Sequence, residues 1–123
     1  MDQRPSNYFL RVFGSFRFAF RGCCFFFTTR SNVWIHLAAA VGVCIIGFLV
    51  HIGRSDWIAL AVAIGMVLIA EMLNSALETL TDLVSPEYHK LAGKAKDLAA
   101  GAVLLASLVA VIIGLFVFLP RFC

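Results

Sequence analysis

The sequence predicts an all-α membrane protein in which three transmembrane helices are preceded by an amphipathic interfacial helix. Of its 123 residues, 62% are hydrophobic and only 14% are charged, whereas a soluble domain usually carries about 25% charged residues. Two runs of 23 residues, Ser31 to Gly53 and Leu98 to Pro120, contain no charge, and about 20 apolar residues suffice to cross a bilayer. The chain is too short for two such domains, so we expect one domain over residues 1–123.

The interfacial helix is predicted at about residues 7–28. Its apolar side chains recur at helical spacing and form one face, composed of Phe9, Val12, Phe13, Phe16 and Phe20. Arg11 lies nearly opposite that face, which is typical of a helix lying in the plane of the membrane surface. The helix is either a simple anchor or a cover that brings Arg11 and Phe18 over a phosphate-bearing ligand.

Three spans are predicted at about residues 33–52, 57–84 and 98–119. The second ends near Val84 because Ser85 precedes Pro86, and a residue before proline disfavours the helical conformation. Five arginines precede the first span and three lysines separate the second from the third, against only Arg54 and Arg121 on the other side. Since Lys and Arg stay on the cytoplasmic side, we expect a multi-pass membrane protein with a cytoplasmic N-terminus.

The middle span carries polar side chains in a segment that should avoid them. Glu71 follows 14 uncharged residues, and at 100° per residue it shares an arc of about 80° with Asn74, Glu78 and Asp82. Each carboxylate inside a bilayer costs about 2.5–3.5 kcal/mol on insertion scales, so a metal ion, a basic partner or a watery cleft must compensate. This polar stripe is therefore a candidate site, and an ion or proton conduit is one alternative use of it.

These residue types suit phosphoryl transfer to an alcohol at the membrane surface. Glu71, buried beside apolar residues, is suited to take the hydroxyl proton, and Glu78 offers Mg²⁺ an oxygen ligand. Lys96, which stands beside Asp97, is placed to hold phosphates. The sequence contains neither GxxxxGK[ST] nor GxGxxG, so ATP would be held by side chains and metal rather than by a glycine-rich loop.

Two further features concern the partners. Asn32 and His36 are i, i+4 neighbours at the cytoplasmic end of the first span. Such a pair is a cap, an interfacial hydrogen bond or a substrate contact.

The modest net charge of +3 is clustered near the membrane face. We therefore expect the membrane bilayer with its anionic headgroups as the partner of the basic residues, and no nucleic acid.

The polar residues from Glu71 to Asp97 resemble, at matching spacing, those of the bacterial small membrane diacylglycerol kinase and undecaprenol kinase family. The matching residues are the run EMLNSALE from Glu71 to Glu78, then Asp82, the run EYH from Glu87 to His89, and Lys96 with Asp97. The resemblance implies a homotrimer with active sites shared between subunits. It also implies ATP-dependent, Mg²⁺-dependent phosphorylation of undecaprenol or diacylglycerol, a reaction of phospholipid metabolism, at the cytoplasmic face.

The resemblance also implies roles for single residues. Glu71 would be the general base, Asn74 would orient it, Asp97 would complete the catalytic group, and Glu78 would bind Mg²⁺. The implied ATP contacts are Arg11, Phe18, Arg30, Glu78, Glu87, Tyr88, His89, Lys96 and Asp97. The implied contacts of the lipid alcohol are Glu71, Asn32, His36 and Ala100. Asn32 and His36 are similar to the undecaprenol kinase branch, which favours a polyprenol.

One departure from the family pattern is Arg30, which stands where the family carries a second metal-binding glutamate. A cation cannot ligate Mg²⁺. Either Glu78 holds the ion with ATP and water alone, or Arg30 contacts the phosphates in its place, or activity is weakened or lost. In the last case the alternative function applies: the chain is a catalytically weakened or inactive relative that acts as a membrane oligomer. Phe18 also stands where some members carry tyrosine.

Overall fold

A computed structural model describes residues 7–29 and 32–123 of the chain. These residues form four α-helices and no strand: α1 (Tyr8–Thr29), α2 (Asn32–Leu49), α3 (Arg54–Val84) and α4 (Lys90–Phe122). The last three are long and apolar enough to cross a membrane, so the predicted all-α class, with three spanning helices after a first helix, is confirmed. The described residues fall into two compact units, one of residues 7–29 and one of residues 32–123.

Helix α1 lies in the first unit. It begins after Asn7, whose Oδ1 accepts a hydrogen bond of 3.2 Å from the backbone N–H of Phe9 and so satisfies one of the first helical N–H groups. All four phenylalanines of the predicted apolar face are exposed, namely Phe9, Phe13, Phe16 and Phe20. An exposed apolar face suits a helix that lies on a bilayer. The position of α1 at the membrane interface stays a prediction.

The second unit contains α2, α3 and α4, whose buried core lies beside the turn between α2 and α3. There Trp57 packs on α2, with its ring 4.7 Å from that of Phe48. A Cβ built on Gly47 would stand 2.9 Å from Cη2 of Trp57, so only glycine allows this close approach. The fully packed members of the core are Ile52, Leu60 and Val117.

Arg121 fastens the end of α4 to the same turn. Its Nη2 donates to Asp56 Oδ2 at 3.1 Å and its Nη1 donates to the backbone carbonyl of His51 at 3.2 Å. His51 adopts φ 54°, the left-handed conformation that allows the chain to reverse within a short turn. The guanidinium therefore joins α4 to the beginning of α3 and to the α2–α3 turn.

Helix α3 ends at Val84, as predicted from Ser85 and Pro86. The other bounds differ from the predicted spans, because a charge-free run measures apolar length rather than helix length. Helix α2 ends at Leu49 rather than near residue 52, and α4 begins at Lys90 rather than near residue 98. Lys and Ala favour the helix, so residues 90–97 extend α4 beyond its apolar part. Pro120 lies within the last turn of α4, where its missing N–H removes only one hydrogen bond.

Candidate active site

Helix α3 extends past the beginning of α2. Glu71 of α3 contacts His36 of α2, and it lies 13 residues before Val84, whereas His36 lies only four residues after Asn32. At about 1.5 Å per residue, the end of α3 therefore stands roughly 14 Å beyond the first residue of α2. The acids after Glu71, Glu78 and Asp82, belong to this extension and lie beyond the first residue of α2.

Glu71 is the buried member of the polar stripe. Its residue is 8% exposed, and its Oε1 lies 2.9 Å from Nε2 of His36, whose side chain is 26% exposed. A buried carboxylate requires a hydrogen-bonding partner, and His36 supplies it. Sequence reasoning offered a cap, an interfacial hydrogen bond or a substrate contact for His36. It did not predict the pairing with Glu71, because the offset between α2 and α3 cannot be read from either helix alone.

Asn74 contacts Glu78 one turn further along α3. Its Nδ2 donates to Glu78 Oε1 at 3.3 Å, whereas the sequence predicted that Asn74 orients Glu71. Asn74 Oδ1 is buried and has no hydrogen-bond partner among the residues that the structure describes. An amide oxygen left in this way normally has a partner, so the surroundings of Glu78 offer an additional oxygen for a ligand.

No three His, Cys, Asp or Glu side chains within residues 7–29 and 32–123 lie close enough together to form a metal site. Mg²⁺ commonly takes only one or two protein carboxylates and completes its shell with substrate phosphates and water. The Glu78 carboxylate and the orphaned oxygen of Asn74 are hard oxygen donors within one turn of each other. These residues therefore fit a Mg²⁺ ion that arrives with a nucleotide.

Lys96 of α4 pairs with Asp82 near the end of α3. Nζ lies 2.6 Å from Asp82 Oδ1, and the side chains are 42% and 65% exposed. An ion pair this exposed contributes only about 0–1 kcal/mol, so Lys96 can exchange Asp82 for another anion. Asp97 and Lys94 line a neighbouring surface groove, and Ala100 is exposed one turn further along α4.

The connector between α3 and α4 holds the other predicted nucleotide contacts of this unit. Tyr88 is 93% exposed, and the backbone carbonyl of Glu87 accepts a hydrogen bond of 3.0 Å from Ser85 Oγ. His89 caps α4, since its Nδ1 accepts a hydrogen bond of 3.1 Å from the N–H of Leu91. The connector joins the end of α3, which carries Asp82, to the beginning of α4, which carries Lys96.

Four predicted site residues precede His36. Asn32 is exposed as the first residue of α2. Arg11 and Phe18 belong to α1, where the ring of Phe18 is exposed and lies 5.7 Å from the guanidinium carbon of Arg21. Arg30 lies outside the described residues.

Comparison with known proteins identifies the family. Residues 17–118 match the family model described as prokaryotic diacylglycerol kinase. The chain belongs to the prokaryotic diacylglycerol kinase family. It is 42% identical over 122 residues to the undecaprenol kinase of Bacillus subtilis strain 168, covering 98% of this chain and 99% of that protein. The resemblance noted in the sequence is therefore confirmed.

Two relatives named diacylglycerol kinase match smaller parts. The enzyme of Synechocystis sp. is 45% identical over 107 residues, which are 86% of this chain but 61% of that protein. The enzyme of Escherichia coli strain K12 is 54% identical over 46 residues, 37% of this chain and 38% of that protein. Within this family of lipid kinases, the polar stripe of α3 and its partners on α2 and α4 form the candidate active site.

Proposed function

We propose that this chain transfers the γ-phosphoryl group of ATP to the hydroxyl group of a membrane lipid alcohol, undecaprenol or diacylglycerol. The proposal rests chiefly on one observation: a buried carboxylate, Glu71, shares a helix face with Glu78 two turns away, about 10 Å along α3 at 1.5 Å per residue. That distance accommodates an acceptor hydroxyl and a phosphoryl group between a base and a metal-bound nucleotide.

In the proposed reaction, the Glu71 carboxylate takes the proton of the acceptor hydroxyl. The hydroxyl oxygen forms a bond to the γ-phosphorus, the bond from that phosphorus to the β–γ bridging oxygen breaks, and ADP leaves. Glu71 lies deepest in the stripe, where the hydroxyl of a membrane lipid can reach it. Asp97 completes the catalytic group as a proposal from the family resemblance.

The nucleotide would lie at the end of α3 and the beginning of α4. Glu78 would hold Mg²⁺, which offsets the negative charge of the phosphates when it is bound. Lys96 would exchange Asp82 for a phosphate oxygen, which its exposed and weak ion pair permits. The remaining proposed ATP contacts are Glu87, Tyr88, His89 and Asp97 in this unit, together with Arg11, Phe18 and Arg30.

The lipid substrate and the membrane orientation are further parts of the proposal. The match over almost the whole length of both chains to a protein named undecaprenol kinase favours a polyprenol, with Asn32 and Ala100 as substrate contacts. His36, which the resemblance also assigns to the alcohol, contacts Glu71 instead. The distribution of Lys and Arg favours a cytoplasmic N-terminus. The reaction would then take place at the cytoplasmic face of the bacterial inner membrane.

We also propose a homotrimer. A groove of about 1100 Å³ runs between α3 and α4, and its lining is apolar except for Asn74. Alanine and glycine are frequent in that lining, and small residues allow close contact between membrane helices. A second copy in this groove would cover apolar surface and bring a partner within reach of the orphaned Asn74 oxygen.

The test is a kinase assay in mixed micelles with labelled ATP and a panel of lipid alcohols. General base catalysis contributes about 10²–10⁴-fold, so Glu71→Gln should lower kcat by at least about 100-fold. Asp56→Asn, an acid at the opposite end of α3, is the matched control and should retain activity. Equal rates for wild type and Glu71→Gln would exclude Glu71 as the base. A wild type without turnover on any alcohol would favour the inactive membrane oligomer.

A further inference from the structure

The contact between His36 and Glu71 assigns His36 a task other than binding substrate. We propose that His36 is a positioning residue: its Nε2–H donates to Glu71 Oε1 and holds the carboxylate in the orientation that accepts the hydroxyl proton. This inference rests on the proposed function, because it concerns the residue assigned there as the base. It replaces a direct contact between His36 and the lipid alcohol.

The contact has the properties of an anchoring hydrogen bond. The two residues lie on different helices, 35 positions apart in sequence, and their atoms approach to 2.9 Å. Since the Glu71 residue is only 8% exposed, its carboxylate depends on protein donors more than on water. Hydrogen bonds to an ionised acceptor are roughly twice as strong as neutral ones, so His36 restrains Glu71 effectively.

The surroundings offer few substitutes for His36. It lines a cavity of about 230 Å³ between the helices of the second unit, whose other lining residues, apart from Ser107, are alanine, glycine or aliphatic, among them Ala40, Ala63 and Val67. Apart from the Ser107 hydroxyl, these side chains cannot donate a hydrogen bond. Removing the imidazole would therefore leave Glu71 Oε1 without the donor that holds it in this structure.

The proposed role fixes which atom of the pair donates. Glu71 can act as a base only as a carboxylate, and a carboxylate only accepts hydrogen bonds, so the role requires the His36 tautomer with a proton on Nε2. Oε1 of Glu71 is then engaged by the imidazole, and the hydroxyl proton goes to Oε2. A displacement of about 1 Å at a reacting group can cost on the order of 100-fold in rate, so this fixed orientation matters for kcat rather than for binding.

The first test compares kcat and KM for His36→Ala, His36→Asn and His36→Gln. The amide nitrogen of glutamine reaches the position of His Nε2, whereas that of asparagine corresponds to Nδ1 and falls short of Glu71. We expect the Ala and Asn variants to lose roughly tenfold or more in kcat, with KM for ATP and for the alcohol within about twofold of wild type. His36→Gln should recover most of kcat.

His51→Gln is the matched control, because His51 lies in the α2–α3 turn and only its backbone carbonyl is used by Arg121. It should leave kcat and both KM values unchanged. A raised KM for the alcohol with unchanged kcat in His36→Ala would overturn the proposal in favour of a substrate contact. Equal kcat for the Gln and Asn variants would overturn it as well.

A second test reads the contact without kinase activity. The midpoint temperature of thermal unfolding in detergent is measured for His36→Ala, Glu71→Ala and the double variant. A loss in the double variant smaller than the sum of the single losses supports the contact, and additive losses overturn it. Turnover by wild type with additive losses would refute only the role of His36. Absence of turnover in wild type would refute the proposed function, and the role of His36 with it.

Discussion

Lys96 Nζ lies 2.6 Å from Asp82 Oδ1. This ion pair, in which both side chains are exposed, links the second turn of α4 to the end of α3. If Lys96 binds the phosphates of ATP, it must leave Asp82 first. The pair therefore competes with nucleotide binding, and the two partners should affect the KM for ATP in opposite directions.

Asp82→Asn should lower the KM for ATP by up to about fivefold, because the exposed pair contributes at most about 1 kcal/mol. Lys96→Gln should raise the KM for ATP, since it removes the cation itself. Lys90→Gln, an exposed lysine at the first position of α4, controls for the loss of one positive charge. A KM for ATP that rises in both Asp82→Asn and Lys96→Gln would place Asp82 among the groups that bind the nucleotide.

His89 combines an observed structural role with a proposed binding role. Its Nδ1 caps α4, so His89→Ala should lower the free energy of unfolding by about 1 kcal/mol. Asparagine is itself a good cap, so His89→Asn should preserve thermal stability while it raises the KM for ATP. Unfolding in detergent and steady-state kinetics measure the two effects separately. If His89→Asn leaves both quantities unchanged, His89 serves the helix alone.

The sequence predicted the fold class well, because the length of its apolar runs indicates helices that can span a membrane. Val84 was placed correctly as the end of α3 since the effect of Pro86 on the preceding residue is local. The third span, predicted from about residue 98, concerns the apolar part of α4, whereas the helix itself begins eight residues earlier, because residues 90–97 are partly charged but helix-forming. Length of apolar sequence and length of helix are different quantities, and only the first is visible in composition.

The sequence shows which residues of α3 share the face of the candidate site, but it does not show their contacts. Glu71, Glu78 and Asp82 share a face because helical periodicity fixes it. Their partners depend on the relative height of neighbouring helices, which sets Glu71 against His36 and Asp82 against Lys96. No periodicity within α3 carries that information. The catalytic, metal-binding and substrate-binding roles assigned to all candidate residues, Arg11, Phe18 and Arg30 included, stay predictions.

Gly47 tests the packing of α2 on Trp57. A Cβ at this position would stand 2.9 Å from Trp57 Cη2 and 3.0 Å from Ile52 Cδ1, so Gly47→Ala should lower the free energy of unfolding by about 1–3 kcal/mol. Gly42→Ala on the same helix meets no heavy atom within 4 Å. Because alanine favours the helix over glycine, that control should be neutral or stabilising. Equal thermal midpoints for the two variants would contradict the packing described.

Arg30→Glu introduces the glutamate that the family resemblance implies for this position. If Glu78 lacks a second carboxylate to share the metal, the variant should lower the Mg²⁺ concentration that gives half-maximal kinase activity, since charge and ligand number set affinity for this ion. Arg17→Glu applies the same charge reversal within α1, at a position outside the candidate site, and should not change the Mg²⁺ requirement. A higher KM for ATP in Arg30→Glu alone would instead show that Arg30 contacts the phosphates. The Mg²⁺ titration therefore separates a missing metal ligand from a replaced one.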